Sequence, residues 1–520
     1  MLVGVDVLLE LAASSLPDRV ALGSRENGIT FAQLGERSSA GAGLLLAEGG
    51  RSVAFVGVNG PAFNVAVFAA ALSGLPITPL NYRLPDRDLC ALLDRLDDPV
   101  ILVDDAMRSR LGHRARMVST AEWLEATKTA APIEAEYLDD DAVAAVLFTS
   151  GTTSEPKGVV LRHGNLTSYV LQTVELLSAE EDDAALVAVP PYHIAGVATV
   201  LTNTYAGRRM VHLPAFDADG WLQTVAAETI THAMVVPTML ARIVEQLETA
   251  SAVTSIPTLR SIAYGGARIP PSVLERALAA FPEAGFVNAY GLTETSSTIA
   301  VLGPDDHRTA LNSDDPIWKA RLASAGRAVP GIEFAIRDAT GALLPIGETG
   351  ELWVRGAQVA GEYVGLGTGL DAEGWFPTRD RARLDDDGYL FVEGRDDDTI
   401  IRGGENIAPA EVEDVLLTHP AVRDAAVIGL PDEEWGQSIA AVIVLAVDDG
   451  ADPGELAEEV RAYAASRLRS SRAPSFVLIW PELPYTPTGK LLRRTIVSAL
   501  IADPTFVPTA EIPEPSGDPR

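Results

Sequence analysis

One cysteine, Cys90, stands among 520 residues, so no internal disulfide can form and the chain suits a reducing compartment, the cytoplasm. Basic residues are scarce: 40 Lys and Arg against 72 Asp and Glu give a formal net charge of -32. Nucleic acid is thereby excluded as a partner, because its phosphates demand a basic footprint. An anionic membrane surface is disfavoured for the same reason. No apolar run reaches the ~18–20 residues that a membrane-spanning helix needs. The opening residues carry Asp6 and Glu10 and no cationic start, which does not read as a signal peptide. No internal repeat is present. His113, His163, His212, His232, His307 and His419 show no metal-ligand spacing.

What is present is ordinary for a globular protein: 47% apolar and 22% charged residues. The length is too great for one core and predicts two or more domains. The chain is organised around residues 142–160. An apolar run over 142–148 reads as a buried strand. It breaks into Thr149, Ser150, Gly151, Thr152, Thr153 and Ser154, with Lys157 three residues on. Short hydroxyls, turn N–H groups and one cation at one place suit phosphate oxygens. No Gly-Lys-Ser/Thr follows, so it is not a Walker A loop. A polar surface loop is the bland alternative, and the downstream segments decide between them.

From residue 17 to about 282, short β-rich runs alternate with amphipathic stretches. Strands are expected over 53–58, 100–103, 186–189, 210–213, 234–236, 259–264 and 286–287, and a helix over 61–73. This alternation predicts doubly wound parallel α/β sheets, whose ligands sit at the carboxyl ends of the strands. From Gly331 the pattern turns to antiparallel β, with strands over 333–336, 351–354 and 389–392. After residues 394–398 a small α+β unit is expected, with a helix opening at Pro409, strands over 425–430, 439–447 and 476–480, and a helix over 454–467. Gly365, Gly367 and Gly369 lack dinucleotide-fingerprint spacing and read as a loop. The proline-rich residues 504–520 read as a tail.

Downstream of the Thr149–Lys157 loop, eight segments follow in order: Pro191-Tyr192-His193-Ile194-Ala195-Gly196, Tyr264-Gly265-Gly266-Ala267, Asn288-Ala289-Tyr290-Gly291-Leu292-Thr293-Glu294, Gly350-Glu351-Leu352, Trp375 to Asp380, Gly394-Arg395, Gly403 to Glu413, and Pro487-Thr488-Gly489-Lys490. Over residues 15–495 the chain resembles the adenylate-forming superfamily of acyl- and aryl-CoA synthetases, peptide-synthetase adenylation domains and luciferase. The resemblance implies a large N-terminal domain over 1–394, a hinge over 395–398 centred on Asp397, and a small mobile domain over 399–520. It implies a two-step reaction: a carboxylate attacks the α-phosphate of ATP, and a thiol then displaces AMP.

Roles follow from it residue by residue. Thr149, Ser150, Gly151, Thr152, Thr153 and Lys157 would hold departing pyrophosphate, and Glu294 would coordinate Mg²⁺. Asp380 and Arg395 would take the ribose. Gly265, Gly266, Ala267, Asn288, Ala289, Tyr290, Gly291 and Thr293 would line the adenine side. Lys490 would serve adenylation, whereas Gly403 and Gly404 with His193 would line the acyl and coenzyme A tunnel. Taken alone, Lys490 could be an exposed lysine before Arg493-Arg494, and His193 a structural histidine.

The implied small molecules are ATP, Mg²⁺, coenzyme A and an acid, with a homodimer left open. The chain departs from the family at Ser154 and Arg379, where glycine is usual. The presumed acyl segments carry no charge, which predicts a fatty, alicyclic or aryl acid. Arg268 is the one cation nearby that a second carboxylate could use. A carrier-protein acyl-AMP ligase and a luciferase-like oxygenase are the alternatives sharing these motifs. A protein that binds adenylate without catalysis is disfavoured by the presence of Lys157, Glu294 and Lys490.

Overall fold

The computed structural model describes residues 4–133, 138–149, 156–249, 256–395, 398–402, 405–432, 435–446, 452–486 and 489–502. The chain forms two compact units: residues 1–265, 277–335 and 353–377, and residues 266–276, 336–352 and 378–520.

The first unit carries two large sheets. In one, the spatial order is Arg327–Ala328, Ser297–Leu302, Gly285–Leu292, Ser261–Gly265, His232–Val235, Ala184–Val187, Arg209–His212, Val20–Leu22 and Ile29–Thr30. In the other it is Gly367–Thr368, Glu362–Tyr363, Lys157–Arg162, Val143–Thr149, Ile77–Pro79, Ser52–Val56, Pro99–Val103 and Met117–Ser119. The expected strands are all found, with ends shifted by a few residues. The sheets are mixed rather than wholly parallel. Gly285–Leu292 pairs antiparallel with Ser297–Leu302, and Val143–Thr149 antiparallel with Lys157–Arg162.

The helix Pro61–Leu72 is buried almost all round, which its apolar residues on every face dictate. Phe63, Val65, Phe68 and Ala69 enter a core that also takes Leu34 and Leu45 from the helix Phe31–Glu48. That second helix starts on a capping box, in which Thr30 and Gln33 satisfy each other's backbone N–H groups. Gly41 is required where Trp123 of the helix Thr120–Ala126 packs on this helix, since a Cβ there would meet the Trp123 ring at 2.8 Å.

In the second unit, Phe376–Leu384 pairs antiparallel with Leu390–Arg395. They complete a four-stranded sheet with Gly350–Arg355 and Glu333–Arg337. Further along, Val422–Asp432 and Gly436–Leu445 form a long antiparallel pair, with Phe476–Ile479 parallel to the latter. Alternate residues feed opposite faces of this sheet. Ala425, Val427, Ala441 and Ile443 meet Val412, Leu416, Val460 and Ala464 of the helices Pro409–Leu417 and Pro453–Ala465. Ala426, Ile428, Ala440 and Val442 meet Ile496 and Leu500 of Arg493–Ala502, a helix the sequence reading did not anticipate. No helix among the described residues is long and apolar enough to cross a membrane.

Candidate active site

The described residues that flank the hydroxyl-rich segment belong to two antiparallel strands, Val143–Thr149 and Lys157–Arg162. Thr149 and Lys157 are the last register pair of these strands, and the Thr149 hydroxyl donates to the Lys157 carbonyl at 3.4 Å. Among the described residues no helix begins beside this pair, and Lys157 opens a strand, not a helix. Ser150, Gly151, Thr152, Thr153 and Ser154 lie outside the described residues.

The glycine and asparagine segments meet at the ends of two parallel neighbours. Tyr264 pairs with Asn288 and Gly265 with Ala289. A Cβ on Gly265 would stand 2.2 Å from the Ala289 carbonyl oxygen, so only glycine permits this approach. Asn288 Nδ2 donates to the Ser324 carbonyl at 3.1 Å. The Tyr264 hydroxyl lies 2.9 Å from His307 Nε2, and His307 Nδ1 lies 2.7 Å from the Gly303 carbonyl, which fixes the floor behind these strand ends.

Beyond Tyr290 the strand bends at Gly291, whose Cβ would clash with the Ser297 carbonyl, and leads into the 3-10 turn Thr293–Thr295. Glu294 is half-buried on that turn, and one of its carboxylate oxygens accepts the Tyr363 hydroxyl at 3.0 Å. Ser296 and Ser297 follow with φ of 56° and 109°, left-handed conformations that cost energy for non-glycine residues. The buried Ser296 hydroxyl finds no partner among the described residues. Strain beside a carboxylate of this kind marks functional sites.

His193 precedes the helix Ile194–Ala206. Its ring packs 4.5 Å from that of Tyr192, burial pushes its pKa down to about 4, and its Nε2 has no partner among the described residues. The ring is therefore neutral near pH 7 and holds one unused polar atom.

In the second unit, Asp380 and Arg395 are cross-strand partners, 3.5 Å apart, although fifteen positions separate them in sequence. Asp380 is buried, and its amide donates to the Thr378 hydroxyl at 3.1 Å. Arg379 has φ of 62°. Gly266 also takes positive φ, 82°, and Arg268 just beyond Ala267 is engaged: its guanidinium reaches Asp414 at 2.5 Å and the Ala410 carbonyl at 3.3 Å. The cation that the sequence offered to a second substrate carboxylate is thus already paired. Lys490 closes a tight turn, its amide donating to the Thr486 hydroxyl at 2.9 Å and its carbonyl accepting the Thr486 amide at 2.8 Å. Gly403 and Gly404 lie outside the described residues, between the register pair Arg402 and Glu405; Asp397 is also outside them. The Gly365–Gly369 stretch is a small hairpin, with Tyr363 paired to Gly367, and not a plain loop.

The donor set suits a hard cation shared with phosphate oxygens: a carboxylate and hydroxyls, without thiol or imidazole clusters. Among the described residues, no three His, Cys, Asp or Glu gather into a metal cage. Mg²⁺ bound through one carboxylate plus substrate phosphates needs none.

The fold is that of the adenylate-forming enzymes. The o-succinylbenzoate CoA synthetase of Bacillus subtilis, in complex with its acyl-adenylate intermediate OSB-AMP, superposes with a TM-score of 0.80 at 30% identity, covering 94% of this chain and 97% of that one. The same enzyme with ATP and a magnesium ion gives 0.79 at 31% identity, covering 94% and 98%. The chain belongs to the AMP-binding enzymes: that family's profile matches residues 9–364, and the AMP-binding enzyme C-terminal domain matches 411–490. A curated relative, the 2-succinylbenzoate–CoA ligase of Bacillus cereus (strain Q1), is 32% identical over 489 residues, 92% of this chain and 95% of the relative.

Proposed function

We propose that this chain is an ATP-dependent, AMP-forming acid–thiol ligase that activates an aryl carboxylic acid and passes it to coenzyme A. The observation that carries the reading is the last register pair, Thr149 and Lys157, of two antiparallel strands, with Glu294 tied to Tyr363 on the adjoining strand, in a chain of this family. A carboxylate is a poor electrophile, because oxide would have to leave. Its oxygen attacks the α-phosphorus of ATP, the bond to pyrophosphate breaks, and the thiol then displaces AMP from the carbonyl carbon.

Lys157 and the Thr149 end of the loop neutralise the departing pyrophosphate. Glu294 takes Mg²⁺, which supplies charge neutralisation at the phosphates when bound. Asp380 accepts ribose hydroxyls, with Arg395 holding its carboxylate in place. Gly265, Gly266, Ala267, Asn288, Ala289, Tyr290, Gly291 and Thr293 line the adenine side. Lys490 stabilises charge in the first step, and the Gly403-Gly404 pair with His193 serves the second, the exchange turning on Asp397. A neutral His193 and an Arg268 committed to Asp414 favour an acid with one ionised group at its reacting end. The single cysteine supports a reducing compartment such as the cytoplasm as its location.

The test is pyrophosphate release over a panel of acids, with coenzyme A present and absent. The panel should include 2-succinylbenzoate, simple benzoates and fatty acids. Release with an aryl acid, and an acyl-CoA product only when coenzyme A is added, is the expected result. Pyrophosphate release from no acid, or acyl transfer only to a carrier protein, contradicts it. Sedimentation of the same sample reads whether the enzyme pairs as a homodimer.

A further inference from the structure

Residues 358–364 hold the Glu294 turn from the side. The Ala360 and Gly361 amides both donate to the Glu294 carbonyl, at 2.9 and 3.1 Å. Gln358 Nε2 donates to the Thr295 and Thr298 carbonyls at 3.0 and 2.9 Å. The same segment is also the outer neighbour of the strand that starts at Lys157. Glu362 pairs antiparallel with Val160 and Tyr363 with Val159, and the Val364 amide donates to the Gly158 carbonyl at 2.8 Å.

Register then decides which side chains meet. Residues directly opposite in an antiparallel pair share a face, and so do those two positions along. Tyr363 therefore shares a face with Val159 and Lys157, and Glu362 shares the other with Val160 and Arg162. The contacts agree. Lys157 Nζ lies 5.6 Å from the centroid of the Tyr363 ring, and Arg162 bonds Glu362 through two nitrogens at 2.9 and 3.0 Å. The bidentate pair on one face pins the register that sets Tyr363 on the other. A slip of one residue would exchange the two faces. From that position the Tyr363 hydroxyl reaches the Glu294 carboxylate at 3.0 Å.

We propose that Tyr363 is a positioning residue of the adenylation step, fixing the carboxylate that takes Mg²⁺ through its hydroxyl and the phosphate-binding ammonium of Lys157 through its ring. A hydrogen bond to one carboxylate oxygen sets the rotamer and leaves the second oxygen for the metal. The ring face attracts the ammonium without neutralising it, so Lys157 keeps its charge for the phosphates. One side chain thus presents two groups whose sequence positions are 137 apart, by subtraction (294 − 157). The inference rests on the roles proposed above for Glu294 and Lys157.

The experiment compares Tyr363→Phe, Tyr363→Leu and Glu294→Gln with the parent enzyme. It reads acid-dependent pyrophosphate release across a Mg²⁺ titration and an ATP titration, with thermal melting of each variant. Tyr363→Phe keeps the ring and loses the hydroxyl. It is expected to raise the half-saturating Mg²⁺ about 3–10-fold, as loss of one hydrogen bond to a charged group does. The rate at saturating Mg²⁺ should stay within about twofold, since the metal ligand itself remains. Tyr363→Leu also loses the ring and should add a rise of about 2–5-fold in KM for ATP, the scale of a cation–π contact. If Glu294→Gln shifts the Mg²⁺ requirement and Tyr363→Phe does not, the inference is overturned while the role of Glu294 stands. A Tyr363→Phe variant that loses rate and melting temperature together, with no Mg²⁺ shift, makes Tyr363 structural only. If neither variant moves the titration, both the inference and the metal role of Glu294 fall.

Discussion

Arg379 occupies a conformation that suits glycine, with φ of 62°, directly before the buried Asp380. A bulky residue held there is strained, and the surrounding hydrogen bonds hold it: Thr378 donates to the Leu352 carbonyl at 2.8 Å and Arg395 to the Thr378 carbonyl at 3.3 Å. Arg379 itself is exposed, so replacing it removes little packing. Arg379→Gly is expected to stabilise the fold by about 0.5–1 kcal/mol, the strain relieved exceeding the entropy glycine adds to the unfolded chain. Chemical denaturation measures the change, and a loss of stability would mean that the arginine side chain holds something the strain conceals. At this scale the motif order made Asp380 and Arg395 legible as a pair, and antiparallel pairing brings them together. Tyr363 was not legible. It stands among Gly361, Gly365 and Gly367 with no motif of its own, and its contacts follow from strand register, which no local pattern displays.

At the scale of elements, apolar alternation revealed most strands. Phe376–Leu384 escaped because Thr378, Arg379, Asp380, Arg381 and Arg383 mask the period, and only Phe376, Thr378, Asp380 and Ala382 are buried. Polar side chains take two of those four inward positions, so hydropathy could not mark the strand. The helix Arg493–Ala502 escaped because Arg493 and Arg494 open it and only Ile496 and Leu500 along it are buried. Arg493 is in fact engaged, with Glu413 at 2.6 Å and Asp398 at 3.6 Å, three positions beyond Lys490.

The residues on either side of Gly403 and Gly404 are tied to residues 471–473. Arg402 donates to the Ser471 and Ala473 carbonyls at 3.1 and 3.4 Å, Ser471 donates to Glu405 at 3.0 Å, and Arg472 grips Glu411 at 2.7 and 2.5 Å. Under the roles proposed above, the two elements, Lys490 and the Gly403-Gly404 pair, serve different half-reactions, and a pair of variants tests that division. Lys490→Ala should lower acyl-AMP formation about 100-fold or more, the scale of losing one preorganised charge stabiliser, and leave thioester formation from supplied acyl-AMP within about twofold, because it removes nothing used there. Arg472→Met should do the reverse, slowing thioester formation about tenfold as Glu405 and Glu411 lose their cation. Equal loss of both half-reactions in either variant contradicts the division.

At the scale of the whole molecule, several buried or half-buried histidines are held neutral. Burial pushes His163, His193, His212 and His232 each down to about 4. The Val5 amide donates to His163 Nδ1 at 3.3 Å, a bond that protonation of that nitrogen would abolish. Between the ordinary value of 6.5 and about 4, the unfolded chain binds protons that the folded chain refuses. Stability must therefore fall as pH drops through that window and level off below it, as far as these groups decide. The -32 charge acts oppositely, because protonating carboxylates relieves self-repulsion, but it does so mainly below about pH 5. Melting temperatures between pH 6.5 and 5 isolate the histidines. They should fall with pH, and His163→Gln, which keeps an acceptor for Val5, should make the slope shallower. A parent slope that is flat in this interval would show that the imidazoles are solvated.

The central claim, that a carboxylate attacks the α-phosphate of ATP at this site, is tested most directly by following oxygen. The enzyme is supplied with an aryl acid whose carboxylate carries ¹⁸O, with ATP, Mg²⁺ and coenzyme A, and the products are analysed by mass spectrometry. An acyl-AMP intermediate transfers one carboxylate oxygen to phosphorus when it forms and leaves it there when the thiol displaces AMP. The account predicts one ¹⁸O in AMP for each acyl-CoA made, with none in pyrophosphate. Label in inorganic phosphate, or AMP without label, would contradict it.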